Sequence, residues 1–558
     1  MKTRDIFILL VVCLLVFWAR LGRLGLIDPD EPFYALTAQE MLESGDWVTP
    51  QIFGEPQFEK PIFFYWLTAI SFKAFGITEW AARLSSAVPA TLLVFLVYAF
   101  TTRMFNRRTG LLSALVLATG LEYAIMSRLM LTDIALALFI AASLFCYWLA
   151  LEEEAHRTRW LLRHFVFAAL GVLTKGPLAT LITVLATVTY SVVAKRGHPY
   201  RGAALWKGIA LYLLVAAPWY VRMFSKFGWA YFDAFVVHEN IMRLLHAEHE
   251  ASDHYWYYLG ILAGGSIPWM PVVVAVCYRG LQGIRHDSRL VFLWSWLLTS
   301  FIFLTIARSK LPSYIFFAFV PIAQLAGVAL DEILTKGFRN SRERITVLAL
   351  CGLQFLIAVL PVIATALVAA FPDLGKSGVL ALSAVKQAKP FAVPSALFAV
   401  CLGAGAIFLW RGKMIAWLAA NAVATAALVI GALTFSAEHV EASSSSRPVA
   451  KAMMAQRRKN EPLLAGTFLV RGVHFYTHLP VSVIAMKENP FNWTQHALPV
   501  VVAEDGLRKF LNMNPTALCA MRRGDWMPYW GTLSLTDEET PPAWWGDNVV
   551  VRFGKPRP

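Results

Sequence analysis

Charge is scarce in this 558-residue sequence. Charged residues make up 15% of it and hydrophobic residues 58%, and the mean hydropathy is +0.55. One soluble core cannot hide so much apolar surface. The formal net charge of +14 does not indicate a nucleic-acid partner, because the basic residues are scattered between apolar runs and form no patch or tail. The sequence therefore predicts an integral membrane protein with membrane lipids around it.

Cysteine is also rare, and its placement excludes two kinds of site. Of six cysteines, only Cys519 falls in the polar C-terminal part, so neither an intradomain disulfide nor a thiolate metal site is predicted there. The sequence contains no internal repeat, no Walker motif and no GxGxxG loop. The apolar N-terminus lacks the small-residue cleavage site of a signal peptide, so we interpret it as a first membrane anchor.

Apolar runs of about 20 residues mark candidate transmembrane helices. Thirteen runs are long or apolar enough: 6–19, 84–102, 110–127, 133–150, 160–174, 177–194, 207–221, 256–277, 290–307, 312–333, 345–371, 391–410 and 414–435. Alternate connections are short and rich in Lys and Arg, which places them in the cytoplasm. The odd number of spans then puts the loops 20–83 and 222–255 and the whole C-terminus outside.

The outer segments have structure of their own. In the first loop, residues 32–43 and 61–74 have helical spacing, and the aromatic residues and flanking lysines of the second segment suit a helix in the membrane interface. A serine run at 443–446 marks a linker. Strand-like runs then follow at 463–470, 481–486, 499–503 and 549–553. The predicted fold is a polytopic α-helical membrane domain, 1–436, with interfacial periplasmic helices in loop 20–83 and a small soluble α/β domain, 437–558.

Ionisable residues recur where several predicted spans reach the outer face. They are Asp28, Asp30, Glu31, Glu59, Lys60, Arg128, Asp133, Lys175, His238, Glu239, Arg243, Arg308 and Lys310. Singly, each has a structural explanation: Asp30 and Asp133 as helix N-caps, Lys175 and Lys310 as lysines reaching lipid headgroups, and His238 as a satisfied polar residue. Together, paired carboxylates and several cations on one membrane surface suit chemistry on a phosphate-linked lipid.

The expected chemistry assigns roles to these residues. A sugar attached to a lipid phosphate leaves readily only when cations neutralise the growing charge on the phosphate. Lys60, Arg243, Lys310 and Arg308 are the candidate cations. Asp30, with Glu31 beside it, and then Asp133 are the candidate carboxylates that activate an acceptor hydroxyl or orient the sugar.

Several stretches resemble one family. The segment IDPDEPFYALTAQEMLESGDWVTPQIFGEPQFEKPIFFYW is similar to the first outer loop of the GT-C polyprenyl-phosphate-dependent membrane glycosyltransferases, in the branch of aminoarabinose lipid A transferases and protein O-mannosyltransferases. TKGPLA, VHENIMRL, WYYLGILAGGSIPW and ARSKLPSYIF follow in the family's order. The resemblance covers the first ten predicted spans well and the remainder more weakly.

The resemblance implies a GT-C fold and a set of site residues. Asp30 matches the essential carboxylate after the first span, and Asp133 matches the second acidic position. The donor phosphate is expected near Lys60, Tyr34, Arg243, Lys310 and Tyr314, with Lys175 and Arg308 as acceptor or phosphate contacts. The sequence itself requires no cofactor. Because some members hold a divalent cation, the metal pair to test is Glu59 with His238.

The family pattern is not followed everywhere. The aminoarabinose transferases carry Asp-Glu-Thr-Arg-Tyr where this chain has Asp-Glu-Pro-Phe-Tyr, so the basic residue is replaced by Phe33. Gln57 also stands where those enzymes usually have tyrosine. The sugar and the acceptor therefore stay open.

Three functions are compared at this point. The leading expectation is inverting transfer of 4-amino-4-deoxy-L-arabinose or a similar sugar from undecaprenyl phosphate to lipid A or another glycolipid, at the periplasmic face of a bacterial inner membrane. The second is protein O-glycosylation, with the soluble domain holding a polypeptide. The third is a lipid or oligosaccharide transporter, against which stand the absence of paired halves and the clustering of charge at one face.

Overall fold

The computed structural model of the chain describes residues 2–246, 252–283, 287–370, 388–487, 498–527, 535–536 and 541–554. Up to residue 370 the helices are α1 (Thr3–Cys13), α2 (Asp30–Ser44), α3 (Phe63–Phe75), α4 (Glu79–Met104), α5 (Arg107–Thr119), α6 (Leu121–Met126), α7 (Thr132–Glu152), α8 (Arg157–Lys175), α9 (Leu178–Val193), α10 (Gly202–Tyr231), α11 (Arg243–Leu245), α12 (Tyr257–Gly265), α13 (Met270–Gly283), α14 (Ser288–Ile306), α15 (Phe319–Lys336) and α16 (Ser341–Ala370).

The later helices and the strands complete the description. The helices are α17 (Ala392–Trp410), α18 (Met414–Gly431), α19 (Ala437–Ser444), α20 (Arg447–Gln456), α21 (Val470–Thr477), α22 (Ala503–Met513) and α23 (Arg523–Asp525). The strands are β1 (Gln51–Ile52), β2 (Glu55–Pro56), β3 (Leu463–Gly466), β4 (Val481–Ala485), β5 (Val500–Val502), β6 (Thr516–Arg522), β7 (Ala543–Trp545) and β8 (Asn548–Gly554). Short 3₁₀ or π segments are Leu14–Trp18, Glu154–His156, Phe232–Met242, Pro312–Ala318, Lys389–Phe391 and Ala432–Ser436.

Within the described residues, eight helices are long and apolar enough to cross a membrane, or nine if the pair Tyr257–Gly265 and Met270–Gly280, bent by 119°, is one span. The polytopic helical prediction is confirmed. The count of thirteen stays a prediction, because several predicted spans fall on short or divided helices. The run 110–127 is divided between α5 and α6 at Gly120, and the run 177–194 forms a helix of 16 residues.

One compact unit consists of Met1–Arg20, Ser85–Arg128 and Thr132–Phe435. In this helical unit α7 packs against α8, α5 against α15, and α17 against α18. Helix α7 lies at the centre of this unit, because 89% of its most apolar 18-residue stretch is buried. The corresponding share for α16 is 17%. At the contact of α5 and α15, a Cβ on Gly327 would lie 2.1 Å from Ser113 Oγ, so the absence of a side chain permits the close approach.

The second compact unit consists of Leu21–Leu84, Leu129–Leu131 and Ser436–Pro558. Its main sheet has the strand order β5-β4-β3-β6-β8-β7. The first four strands are parallel, and β8 pairs antiparallel with both β6 and β7. Apolar residues of α20 and α21 cover one face of the sheet and those of α22 the other. Central strands buried on both faces are therefore uniformly apolar, as in LLAG of β3.

The first loop forms the remaining part of this unit. The two helices predicted at 32–43 and 61–74 are present as α2 and α3, joined by the β1–β2 hairpin. On α3, Ile70 and Phe75 are 57% and 59% exposed. These exposed apolar side chains fit the expected interfacial helix, whose place in the membrane stays a prediction.

The loop and the C-terminal segment belong to the same compact unit. Charged and polar contacts connect them. Arg447 of α20 pairs with Glu79 at 2.8 Å, and the backbone N–H of Leu26 donates to Tyr476 Oη at 2.7 Å. The functional boundaries at 436 and 437 stay a prediction, although the compact units also change at Phe435 and Ser436.

Candidate active site

Helix α2 begins at Asp30, the first candidate carboxylate. Asp30 and Glu31 occupy the first helical turn, and the N-cap position is taken by Pro29, whose side chain makes no capping bond. Asp30 is therefore not the N-cap that its sequence context allows. Negative charge in the first turn of a helix is favoured by the helix dipole.

Glu31 is held in a buried ion pair with Arg83 of α4. The Arg83 Nε and Nη2 atoms donate to the two Glu31 carboxylate oxygens at 3.0 and 2.6 Å, and the two side chains are only 3% and 2% exposed. The same oxygens accept the backbone N–H groups of Ile27 and Met130, each at 2.7 Å. Because both oxygens are engaged, the structure favours a positioning role for Glu31 over direct contact with substrate.

Arg83 also organises the approach to α2. Its guanidinium donates to three backbone carbonyls, those of Leu21, Leu24 and Gly25, at 2.8 to 3.0 Å. The chain from residue 21 to residue 31 is thus wrapped around one buried side chain. This arrangement fixes where Asp30 starts its helix.

Asp28 lies just before the helix and is tied to the C-terminal segment. One of its carboxylate oxygens, Oδ2, accepts from both the backbone N–H and the hydroxyl of Ser446, each at 2.6 Å. The other oxygen, Oδ1, has no hydrogen-bond partner among the described residues. Burial raises the pKa of Asp28 to about 8, although the bonds from Ser446 act in the opposite direction.

Arg471 of α21 joins the same cluster, and sequence reasoning missed it. Its guanidinium lies 4.9 Å from the ring centroid of Phe33 and donates to the carbonyl of Pro29 at 3.4 Å. Only 9% of the residue is exposed. Burial lowers the pKa of Arg471, while the negative charges of Glu59, Asp30 and Asp28 oppose that shift. The stretch VRGVHFY has no local pattern that marks this arginine, because its partners are distant in sequence.

Phe33 occupies the position at which the aminoarabinose transferases carry a basic residue. The guanidinium of Arg471 stacks on this ring and interacts with the charge of Asp30. A cation beside the first candidate carboxylate is therefore present after all, contributed by a different part of the chain.

Tyr34 and Lys60, predicted near the donor phosphate, belong to the same compact unit as Asp30. The Tyr34 ring packs edge-on against Phe64 at 5.3 Å and lies 6.0 Å from the ring of Tyr65. The Lys60 Nζ atom donates to the Glu59 carbonyl at 3.0 Å. Gln57, which stands at the family's tyrosine position, donates to Tyr65 Oη at 2.6 Å.

In the helical unit, four predicted residues form a connected cluster. Asp133, in the first turn of α7, pairs with Lys175 at the end of α8 at 2.5 Å, and both side chains are less than 10% exposed. The Lys175 ammonium lies 4.6 Å from the ring centroid of Tyr314. Arg243 donates to Tyr314 Oη at 3.3 Å and pairs with Glu239 at 3.0 Å.

Lys310 and Arg308 are paired with a residue that the sequence did not single out. Asp253 accepts from the Lys310 ammonium at 2.7 Å and lies 3.3 Å from an Arg308 nitrogen. Its hydrogen bond with Lys310 lowers the pKa of Asp253. Backbone bonds from Arg308 and Ser309 to the carbonyls of Leu244 and Arg243 connect this segment to α11. Lys310 is only 2% exposed, so its charge is already compensated within the protein.

The metal pair stays a prediction. Glu59 and His238 belong to different compact units. No group of three or more His, Cys, Asp or Glu side chains suited to a metal ion occurs in the described part of the chain. The residues present therefore give no donor set on which a metal step is built.

Comparison with known proteins identifies relatives over much of the chain. Residues 2–236 match the model of a family described as dolichyl-phosphate-mannose-protein mannosyltransferase. An undecaprenyl phosphate-alpha-4-amino-4-deoxy-L-arabinose arabinosyl transferase from Erwinia tasmaniensis is 30% identical over 395 residues, which cover 69% of this chain and 70% of that protein. The transferase of the same description from Pseudomonas paraeruginosa is 32% identical over 368 residues, or 64% of this chain and 66% of that protein.

The match to the Pseudomonas relatives is partial, whereas the fold match is nearly complete. A transferase from Pseudomonas aeruginosa is 33% identical over 60% of its own length, so the chain covers less than two thirds of these relatives. The crystal structure of ArnT from Cupriavidus metallidurans bound to undecaprenyl phosphate superposes with a TM-score of 0.76 at 23% identity, covering 99% of this chain and 98% of that one. This likeness shows a shared fold.

The family predicted from sequence is confirmed. The chain is an integral membrane protein that belongs to the GT-C polyprenyl-phosphate-dependent glycosyltransferases, in the branch of the undecaprenyl phosphate-aminoarabinose arabinosyl transferases.

Proposed function

We propose that this protein transfers 4-amino-4-deoxy-L-arabinose or a similar monosaccharide from undecaprenyl phosphate to lipid A or another envelope glycolipid. The membership of the family supports this activity, as does the description of the Erwinia relative. We further propose that the reaction takes place at the periplasmic face of a bacterial inner membrane, with thirteen spans and an external C-terminal α/β domain.

The observation that carries the proposal is the buried charge cluster at the start of α2. Arg83 pairs with Glu31, and the charges of Asp28 and Asp30 act on Arg471. Asp28 and Glu31 are buried, whereas Asp30 between them is exposed and accessible to a substrate. Burying several charges costs free energy, and such clusters are frequent at functional sites. A purely structural helix start needs far less.

The proposed reaction is a single inverting displacement. An acceptor oxygen attacks the anomeric carbon while the bond from that carbon to the donor phosphate oxygen breaks, and the phosphate leaves with the electron pair. We assign Asp30 to orient the sugar and to stabilise its positive charge in the transition state. If the acceptor is itself a phosphate, its oxygen is already nucleophilic and a strong base is not required.

The proposed phosphate-binding cations form three sets. Lys60 donates to the Glu59 carbonyl in the segment that leads into α3, and we assign its positive charge to the leaving phosphate. In the helical unit, Lys175 and Arg243 flank Tyr314 and are the proposed contacts to phosphate groups of donor or acceptor. Lys310 and Arg308 share one carboxylate, that of Asp253, and are the remaining proposed phosphate contacts.

A protein acceptor is the second candidate, because a family model for protein mannosyltransferases matches residues 2–236. In that reaction a serine or threonine hydroxyl replaces the glycolipid. Asp30 or Asp133 would then be needed as a general base, since a neutral hydroxyl must lose its proton on attack.

The test is mass spectrometry of the envelope lipids of cells that lack the protein and carry wild type, Asp30→Asn or Lys60→Ala at equal membrane abundance. Glu43→Gln is the matched control, because Glu43 is an exposed acid on the same helix α2. Loss of one sugar from a glycolipid, restored by wild type and by the control alone, is the expected result. Unchanged lipids would refute a glycolipid acceptor, and a sugar lost from envelope proteins would identify the second candidate.

A further inference from the structure

A cavity of about 590 Å³ lies among α8, α9 and α10 of the helical unit, and no residue of the charge clusters lines it. Its volume falls in the range of sites for small molecules. The residues along it are His164, Phe165 and Ala168 of α8; Thr180, Thr183, Val184, Thr187 and Val188 of α9; His198 and Tyr200; and Leu205, Ile209, Tyr212 and Leu213 of α10.

The polar groups of the wall are bonded to one another. Thr180 Oγ1 and Tyr212 Oη lie 3.0 Å apart, as do Tyr200 Oη and His164 Nε2. Thr183 donates to a carbonyl in the preceding turn of its own helix at 2.6 Å. A ligand therefore needs to supply no hydrogen bonds inside the cavity, and a hydrocarbon chain satisfies its walls.

The cavity opens at the outer surface of α9 and α10. Val184 and Val188 of α9 and Leu213 of α10 line it and are 48%, 43% and 52% exposed. Along α10 the lining runs from Leu205 to Leu213, about 12 Å at a rise of ~1.5 Å per residue. An elongated apolar cavity with exposed apolar rims is shaped for a chain that enters from the bilayer.

Basic residues are close in sequence to the cavity residues His198, Tyr200 and Leu205. Lys195, Arg196, Arg201 and Lys207 lie on the α9–α10 connection or in the first turns of α10, and all are exposed. Trp206, at the same level, is 70% exposed, as an aromatic residue at a membrane interface would be. Arg196 pairs with Glu152, whereas the guanidinium of Arg201 lies across Gly197, beside the cavity residue His198. Such a basic rim attracts anionic headgroups.

We propose that this cavity binds one acyl chain of an anionic phospholipid, whose phosphate lies at the basic rim formed by Lys195 and Arg201. The chain fills the apolar walls between α8, α9 and α10, and the basic rim selects the headgroup. The site is separate from the proposed sugar transfer, because it uses none of the residues assigned to that reaction. A bound lipid stabilises the folded protein by an amount that rises with the logarithm of the lipid concentration once that concentration exceeds Kd.

The experiment is native mass spectrometry of the full-length protein with phosphatidylglycerol and phosphatidylethanolamine of identical acyl chains. Wild type is expected to retain phosphatidylglycerol preferentially. Ala168→Phe and Thr183→Phe fill the cavity and should weaken retention roughly tenfold for every two methylenes displaced. Val192→Phe is the matched control, because Val192 is 71% exposed on the same helix as Thr183 and does not line the cavity.

The contribution of the lipid headgroup is tested by substitutions at exposed positions, which should leave the fold intact. Lys195→Gln and Arg201→Gln are each expected to weaken retention of phosphatidylglycerol roughly fivefold, without a comparable change for phosphatidylethanolamine. Equal retention in wild type and in the filled variants would overturn the proposal, since the lipid would then be bound elsewhere. Retention of added undecaprenyl phosphate in place of phosphatidylglycerol would also overturn it, by identifying a polyprenyl site.

Discussion

The buried pair of Glu31 and Arg83 offers the sharpest test of how the candidate active site is built. Arg83→Met keeps much of the side-chain volume and removes the guanidinium. Glu31 is then left 2% exposed, with only two backbone N–H groups to stabilise its charge. The three carbonyls that Arg83 holds also lose their donor.

The expected cost is large because the pair is buried. Breaking a buried ion pair by removing one partner costs about 3–5 kcal/mol. At ~1.4 kcal/mol for each factor of ten, the population of locally opened chain should rise about a hundredfold to a few thousandfold. Replacing both partners in Glu31→Leu/Arg83→Met should recover part of this loss, since no lone charge remains buried.

Hydrogen–deuterium exchange of peptides covering residues 21–44 measures this opening directly. The reporters are the backbone N–H groups of Ile27 and Glu31, which are bonded to Glu31 Oε2 and to the Ile27 carbonyl. Arg103→Met is the matched control on the same helix α4. Its side chain is 55% exposed in a pair with Glu153, and such surface pairs contribute about 1 kcal/mol or less.

We expect fast exchange in Arg83→Met, intermediate exchange in the double variant and wild-type exchange in the control. Exchange within about tenfold of wild type in Arg83→Met would refute this expectation, because a cost below ~1.4 kcal/mol is not that of a buried pair. Equal acceleration in the double variant and in the single variant would show that the carbonyl contacts matter more than the charge pair.

Three further predictions concern single positions. Arg471→Gln should lower kcat for sugar transfer by up to about a hundredfold through misplacement of the first carboxylate, and adding Phe33→Arg should restore part of it; an unchanged kcat, measured with purified protein in liposomes, would contradict the role of Arg471. The pKa of Asp28 is raised from 3.8 to about 8, so the unfolded state loses its proton first and stability should fall as pH rises from about 4 through 8; Asp28→Asn should flatten this fall in a thermal unfolding series, and an unaltered slope would contradict it. Lys175→Met should destabilise the protein by about 3–5 kcal/mol by leaving Asp133 as a buried lone charge, whereas Lys175→Arg should cost less; equal unfolding temperatures for wild type and both variants would refute the importance of this pair.

Local sequence pattern was sufficient for much of the helical fold. Helices α2 and α3 were predicted because each has helical spacing over more than ten residues, and β3 and β4 because short apolar runs lie between turn residues. Strands β6 and β7 were missed. In β6, the segment TALCAMR reads as readily as helix, and it becomes a strand because β3 and β8 pair with it on both sides.

The candidate site residues also divide into those that the sequence identified and those that only the structure identified. Asp30, Asp133, Lys60 and Lys175 were found from charge at the ends of apolar runs, since an ionisable residue there needs a reason. Arg471 and Asp253 were not found, because nothing in their own neighbourhoods is unusual. Their significance lies in the partners that folding brings to them.

By itself the sequence determined that the chain is a polytopic membrane protein, which family it belongs to, and which carboxylates merit attention. Hydropathy and short motifs carry that information because lipid imposes long apolar helices regardless of tertiary detail. Only the tertiary structure decided that Glu31 is committed to Arg83, that Arg471 lies on Phe33, and that α8, α9 and α10 leave a cavity. Those facts depend on distances between residues far apart in the chain, which packing alone sets.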